Sequence, residues 1–474
     1  MTGRDTGRLG HQGYARPAPT THIENTCAAG TDCAKLAFVT RPLIYPIING
    51  RRKNGLTSRR AFLRDVLGLG VAVAARPFGA AALGTATEGK RRMINWRAEE
   101  VAKVPGGYQV AVADVNGDGR LDILGLSGDN SIVEWYENPT WKARPVTTTT
   151  HKNISLAPLF RAGYAARGMA LATEFALNDS TYGGNLWWAR PAANWDAEWR
   201  LHPIGKIPTS HRLRWANLDG SGRLALVDAP LLGPGAVVPD YKVPAPLTWF
   251  EMPEALLRGH ALARDSEAAE WPAHLIDQSL TVVHGISILD WDGDGRDEIL
   301  TASFEGVHLF HSAGRGAEIA WTRTQLAAGD QQSTPKRGAS EIGVGKVGGE
   351  RFLATIEPWH GNQVVVYTEA KPGELWNRHV IDPDFHDGHA LACADLDGDG
   401  NDEIVAGYRG PGTSLYAYYA ADASGTNWER QLLDAEMAAS CVVIADVNGD
   451  GRLDVVAIGA STANVKWYEN EGVQ

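Results

Sequence analysis

The chain has 474 residues, a formal charge of −11 and 16 tryptophans. The acidic balance argues against nucleic acid and anionic membrane surfaces as partners. Length alone allows two or three domains, but an internal repeat points to one large domain from about residue 93 onward.

Residues 1–57 carry no periodicity and read as an unstructured leader. A start site assigned too far upstream would explain its length, although no methionine lies between Met1 and Met93, so a non-standard start codon would be needed. Residues 58–92 read as an export signal and linker. Ser58-Arg59-Arg60-Ala61-Phe62-Leu63-Arg64 precedes an apolar run from Val66 to Ala75, which resembles a twin-arginine signal. Such a signal is an address read by a receptor, not an anchor, and the apolar run is too short to span a bilayer. The expectation is a periplasmic or secreted protein without a stable membrane anchor. Cys27 and Cys33 would leave with the signal. Cys393 and Cys441 are expected as small buried residues rather than a disulfide.

From residue 93 a tryptophan is followed five residues later by Val, Ile or Leu. The pairs are Trp96/Val101, Trp141/Val146, Trp199/Ile204, Trp271/Ile276, Trp321/Leu326, Trp376/Ile381 and Trp428/Leu433. A recurrence of roughly 45–70 residues is the range of propellers and arrays. The unit from His389 to Leu433 reads as four short antiparallel strands separated by glycine and proline clusters. Seven such units predict an all-β, seven-bladed β-propeller over residues 93–474. Trp96 to Val101 lacks inner strands before it, and Cys441 to Tyr468 lacks an outer strand after it. Joining the two closes the ring and removes free sheet edges. The stretch from Leu231 to Gly259 reads as a loop rather than an eighth blade.

Four units carry one acidic pattern. The first has Asp114, Asn116, Asp118 and Asp122. The next has Asp290, Asp292, Asp294 and Glu298. The third has Asp395, Asp397, Asp399 and Glu403, and the last Asp446, Asn448, Asp450 and Asp454. Alternating carboxylates, a glycine at the turn and a closing acid suit calcium or magnesium with oxygen ligands, in a structural role. A degenerate copy begins at Asn217 and lacks its closing acid at Ala225. The pattern resembles FG-GAP (VCBS) repeats, with the acidic loop carrying the match.

Six residues before the first loop position stand His211, His284 and His389, in three different units. Six residues of strand cover roughly 20 Å, so these histidines are expected at the opposite end of the inner strands, converging on one channel mouth. Tyr108 and Ser440 hold the same position in other units. Arg212, His386, Glu357 and His360 lie close by in sequence. Neutral imidazoles could ligate zinc, manganese or iron. One could equally act as a general base with an arginine opposite the developing oxyanion.

The stretches Ser210-His211-Arg212-Leu213, Trp359-His360-Gly361-Asn362 and Trp376-Asn377-Arg378-His379, with Tyr182-Gly183-Gly184 and Val283-His284, resemble the propeller domain of the aldos-2-ulose dehydratase family. The resemblance implies elimination of water from a keto-sugar such as 1,5-anhydrofructose. It places the base at His211, with Arg212, His284, His360 and His389 binding substrate or stabilising the enolate. Tyr108, Tyr182, Glu357, Asn362 and His386 are the candidate substrate-binding residues. The family continues into zinc-holding cupin domains, whereas this sequence stops at the propeller, so a second reaction step is not expected. Ser210 replaces the family's methionine, leaving the sugar open.

A carbon–oxygen lyase on a small carbohydrate is therefore the favoured function. The rivals are a non-catalytic propeller binding carbohydrate or protein, and a metal-dependent uronate lyase with zinc or manganese in the histidine cluster. A homodimer is compatible with any of them.

Overall fold

A computed structural model describes residues 39–40, 93–161, 164–258 and 270–473. The twin-arginine segment, Cys27 and Cys33 lie outside the described residues. Within the expected unstructured leader, Val39–Thr40 is a two-residue strand pairing in parallel with Val442 and Val443.

Six four-stranded antiparallel sheets follow in chain order, beginning at Gly107–Ala113, Ser155–Leu159, Ser210–Ala216, Gly285–Leu289, Glu341–Val347 and Gly388–Ala394. The seventh sheet is built from both ends of the domain. Ala439–Ala445, Asp454–Gly459 and Asn464–Val473 supply its inner three strands, and Ile94–Lys103 pairs with Asn464–Val473 as the outer one. This is the seven-bladed ring with the expected closure.

The sequence grades each blade from axis to rim. Within one blade, the innermost strand Gly388–Ala394 is made mostly of small residues and is buried throughout, while the outer strand Trp428–Asp434 has no buried position. Blades converge at the axis, so only small side chains fit there, and the bulky residues pack where the blades splay. The tryptophan repeat serves this splay. Trp199 donates its backbone N–H to the Val146 carbonyl of the preceding blade at 2.9 Å, Trp271 to Ile204 at 2.8 Å and Trp376 to Leu326 at 2.8 Å. In each case the acceptor is the aliphatic partner of the previous tryptophan, so the repeat stitches neighbouring rims together.

Residues 231–259 are not simply a loop. Leu247–Phe250 is the third strand of the third blade, followed by the short helix Glu254–Leu257. Cys393 and Cys441 are both buried thiols rather than a disulfide, as expected. No helix among the described residues is long and apolar enough to cross a membrane.

Candidate active site at the channel mouth

One backbone device recurs in five of the blades. Two residues before each critical position the chain turns through a left-handed conformation, at Gly106, Thr209, Val282, Gly338 and Asp387 (φ 65°, 57°, 49°, 70° and 61°). Thr209 and Val282 are β-branched, for which this region is strained. A β-bulge then follows. The ladder skips a residue between Gly107 and Gln109, Ser210 and Arg212, Gly388 and Ala390, and Ala439 and Cys441. The skipped residues are Tyr108, His211, His389 and Ser440. A bulge re-aims the side chain it frees, and four blades thereby send one polar group to the same mouth. His284 sits at the equivalent place, its N–H donated to Ala302 O, which also faces Gly285.

His211, His284 and His389 are fully buried and His360 nearly so. Ring centroids are 4.9 Å apart for His211 and His284, 4.8 Å for His284 and His360, and 4.8 Å for His360 and His389. His360 arrives from the turn after Glu350–Glu357, itself left-handed at φ 49°, with Trp359 packed on its ring. Burial, then the neighbouring arginines and histidines, holds all four imidazoles well below the ordinary histidine pKa. They are therefore neutral near pH 7, the state required of a base or a ligand.

Arg212 crosses the mouth. Its Nη1 donates to His211 Nε2 at 2.9 Å and its Nη2 to Glu341 Oε1 at 2.5 Å. The Tyr108 hydroxyl also donates to His211 Nε2, at 3.3 Å. Burial pushes the Glu341 carboxyl up to about 8, opposed by Arg212, Arg214 and Arg409. Arg409 is buried and bonded to Asp387 at 2.9 Å, yet its Nε and Nη1 have no partner among the described residues.

The structure thus brings together Tyr108, His211, Arg212, His284, His360 and His389. It does not bring in four other candidates. Glu357 turns into its own blade, where Thr355 and Tyr367 donate to Oε1 at 2.7 Å each and Arg378 to Oε2 at 2.8 Å. Asn362 is exposed and donates to Pro383 O. His386 is exposed against the Tyr408 ring. Tyr182 is 48% exposed on the loop beside Glu174, whose neighbour Phe175 packs against His211. Glu341, Arg409 and Asp387 escaped the sequence reading. Counting six residues back from the degenerate turn at Lys346 lands on Ser340, one short of Glu341.

A cavity of about 730 Å³ occupies the channel beyond this mouth, lined by Leu156, Leu213, Arg214, Ser287, Cys393 and Val443. It opens toward the acidic loops, which share one geometry. Asp114 Oδ1 accepts from Gly117 N at 2.7 Å, Asp290 Oδ1 from Gly293 N and Asp395 Oδ1 from Gly398 N at 2.8 Å. Asp446 accepts from Gly451 N at 2.9 Å. Among the described residues, Asp290, Asp292 and Asp294 can bring one oxygen each within 4.8 Å of the others, as can Asp395, Asp397 and Asp399. The closing acids lie deeper. Burial raises Asp122 and Asp454 to about 6, Glu298 to about 7 and Glu403 to about 8. Glu403 Oε1 is buried without a hydrogen-bond partner among the described residues. Oxygens so arranged fit a hard divalent cation.

Comparison with known proteins agrees with this architecture. Residues 183–370 match the model of the aldos-2-ulose dehydratase β-propeller domain, and residues 395–457 match an FG-GAP-like repeat. The chain resembles that propeller domain. Aldos-2-ulose dehydratase of Phanerodontia chrysosporium is 26% identical over 309 residues, covering 59% of this chain. The match spans 32% of that enzyme's length. A solved structure described provisionally as a gluconolactonase is 12% identical, covers 71% of this chain and 92% of its own, and superposes with a TM-score of 0.34, too low to carry any argument.

Proposed function

We propose that the protein is an exported carbon–oxygen lyase that eliminates water from a keto-sugar, with His211 as general base. The observation that carries this reading is the set of four buried, neutral imidazoles meeting two arginines at one mouth. His211 Nε2 bears an accepting lone pair, held in place by Arg212 and Tyr108. It would take the acidic proton beside the ketone. The resulting enolate oxygen needs fixed donors. Arg212 is largely committed to Glu341 and His211, whereas Arg409 has two buried N–H groups to give, so the oxyanion role moves to Arg409. Return of that proton from His211 to the departing β-hydroxyl then gives water and an enone. The channel cavity is in the size range of small-molecule sites and offers an approach for the sugar. The acidic loops would bind calcium or magnesium structurally, and export rests on the Ser58 to Arg64 signal.

The test is incubation with 1,5-anhydrofructose, following an ultraviolet-absorbing enone. Enone formation that disappears in His211→Ala supports the reading. Full activity in that variant would remove His211 as base, and inertness toward keto-sugars would remove the lyase itself.

A further inference from the structure

We infer that the channel behind the mouth is a second binding site, which holds a small aliphatic carboxylate with its head on Arg214. The count that reaches the mouth also reaches this level of the channel. Three residues beyond Tyr108, His211, His284, Ser340, His389 and Ser440 stand Ala111, Arg214, Ser287, Gly343, Ala392 and Val443. Arg214 is the one charged residue among them, and the others are short. Alternate residues of a strand share a face, so Arg214 lies on the face of Arg212, roughly 7 Å further from the mouth. A single long cation in a ring of short side chains leaves room on the axis. Ala111, Arg214, Ser287 and Val443 all line the cavity of about 730 Å³ that results, a volume in the range of small-molecule sites.

The wall of the cavity sets the ligand. Arg214 is 8% exposed, so water does little to solvate its charge. Its Nη1 donates to the Leu213 carbonyl at 2.9 Å, which is a dipole and not an opposite charge. Glu341 is a carboxylate that bears on it, but Arg212 already holds that group at 2.5 Å. Burial, then the like charge of Arg212, pulls the Arg214 guanidinium down to about 9, so it is still a cation near pH 7. A bound anion offsets the cost of burying such a charge. The planar fork of a guanidinium matches a carboxylate. Ser287 adds a hydroxyl donor from the neighbouring blade. Leu156, Leu213, Leu289 and Val443 make the rest of the wall aliphatic, which suits a hydrocarbon body and offers a polyhydroxylated one few hydrogen bonds. At the far end Asp290, Asp297, Asp395 and Asp402 line the same cavity. They repel an anion there and leave the Arg214 level as the place where its head rests.

The test is a calorimetric titration of the full chain with sodium octanoate in saturating calcium, with sodium gluconate and 1-octanol run in parallel. The expected result is one octanoate per chain, with weaker binding of gluconate, which lacks the aliphatic body, and of octanol, which lacks the charge. Arg214→Met should bind octanoate at least about tenfold more weakly, the loss of a charge-assisted hydrogen bond. Ala111→Leu fills the cavity without touching the charge and should weaken binding as well. Octanoate should raise the melting temperature of the wild type, because it binds the folded state, and should leave that of Arg214→Met unmoved. Melting without ligand reports whether each variant folds, and Arg214→Lys, which keeps the charge and loses the fork, replaces a methionine variant that does not. Absence of saturable octanoate binding by the wild type overturns the site, as does unchanged affinity in both Arg214→Met and Ala111→Leu. Gluconate binding as tightly as octanoate overturns the aliphatic assignment. The site does not depend on the keto-sugar reading, since octanoate binding is read without turnover and enone formation without octanoate.

Discussion

His360 Nε2 stands 2.9 Å from His284 Nε2 in a pocket where both rings are buried and neutral. Two imidazoles brought this close carry a linkage to pH, because protonating them in the folded state is opposed by burial and by nearby arginines. Unfolding relieves that opposition. In each of the four histidines the folded pKa lies below the unfolded value of about 6.5. Below that pH the unfolded chain binds more protons, so stability falls as pH drops, by up to about 1.4 kcal/mol per pH unit for each group. In saturating calcium, thermal midpoints should be flat above pH 7 and decline from about pH 6.5 to pH 5. Replacing His389 by glutamine should shallow the decline.

The acidic loops predict the opposite slope. Asp122, Glu298, Glu403 and Asp454 have folded pKa values raised to about 6, 7, 8 and 6 by burial, with neighbouring aspartates reinforcing all four. Between the unfolded carboxyl pKa and these values the folded state binds more protons, so this contribution to stability falls as pH rises from about 4 to 8. A cation reverses the penalty by neutralising the cluster. The gain in melting temperature on adding calcium to chelated protein should therefore grow steadily over that pH range. A calcium effect independent of pH would argue that the closing acids take no part in binding.

Arg212 and Glu341 form a buried ion pair, 0% and 2% exposed at their side chains. Removing one partner strands the other, and such truncations cost about 3–5 kcal/mol. Glu341→Ala should lose that much in denaturant unfolding. The double variant Arg212→Met, Glu341→Leu should lose distinctly less, because neither charge remains to be buried. A double variant as unstable as the sum of the two singles would show that each side chain matters through packing rather than through the pair.

The sequence disclosed the ring and the mouth because each has a ruler. The tryptophan repeat marks the rim, where Trp199, Trp271 and Trp376 bond to the blade before. The acidic loops mark one end of the inner strand, and a fixed count back reaches the other, where His211, His284 and His389 lie. Residues off that ruler were lost. Arg409 follows the second strand of its blade and meets Asp387 only through pairing of Gly388 with Tyr408. Glu357 and His386 failed in the other direction. Proximity in sequence to His360 and His389 does not aim their side chains, since the ladder and the turn send them elsewhere. Leu247–Phe250 was hidden by the long segment before it, which delays the third strand of that blade.

Ring closure gives the last prediction. Ile94–Lys103 is the only contribution of the domain's beginning to the seventh blade among the described residues, and it covers the whole length of Asn464–Val473. Without it, that strand becomes an exposed edge with unpaired N–H and C=O groups, a template for pairing with another chain. The opening would also uncover Tyr468, which is fully buried. Deleting residues 93–103 should yield protein that self-associates on size-exclusion chromatography, even where circular dichroism still reports β-structure. Adding the excised strand as a separate peptide should restore the monomer-like elution, because the peptide can dock in register with Ile94 and Val101 returning to their buried positions. A deletion variant that elutes as the intact chain does, with an unchanged melting temperature, would mean that the six complete blades hold the ring closed by themselves.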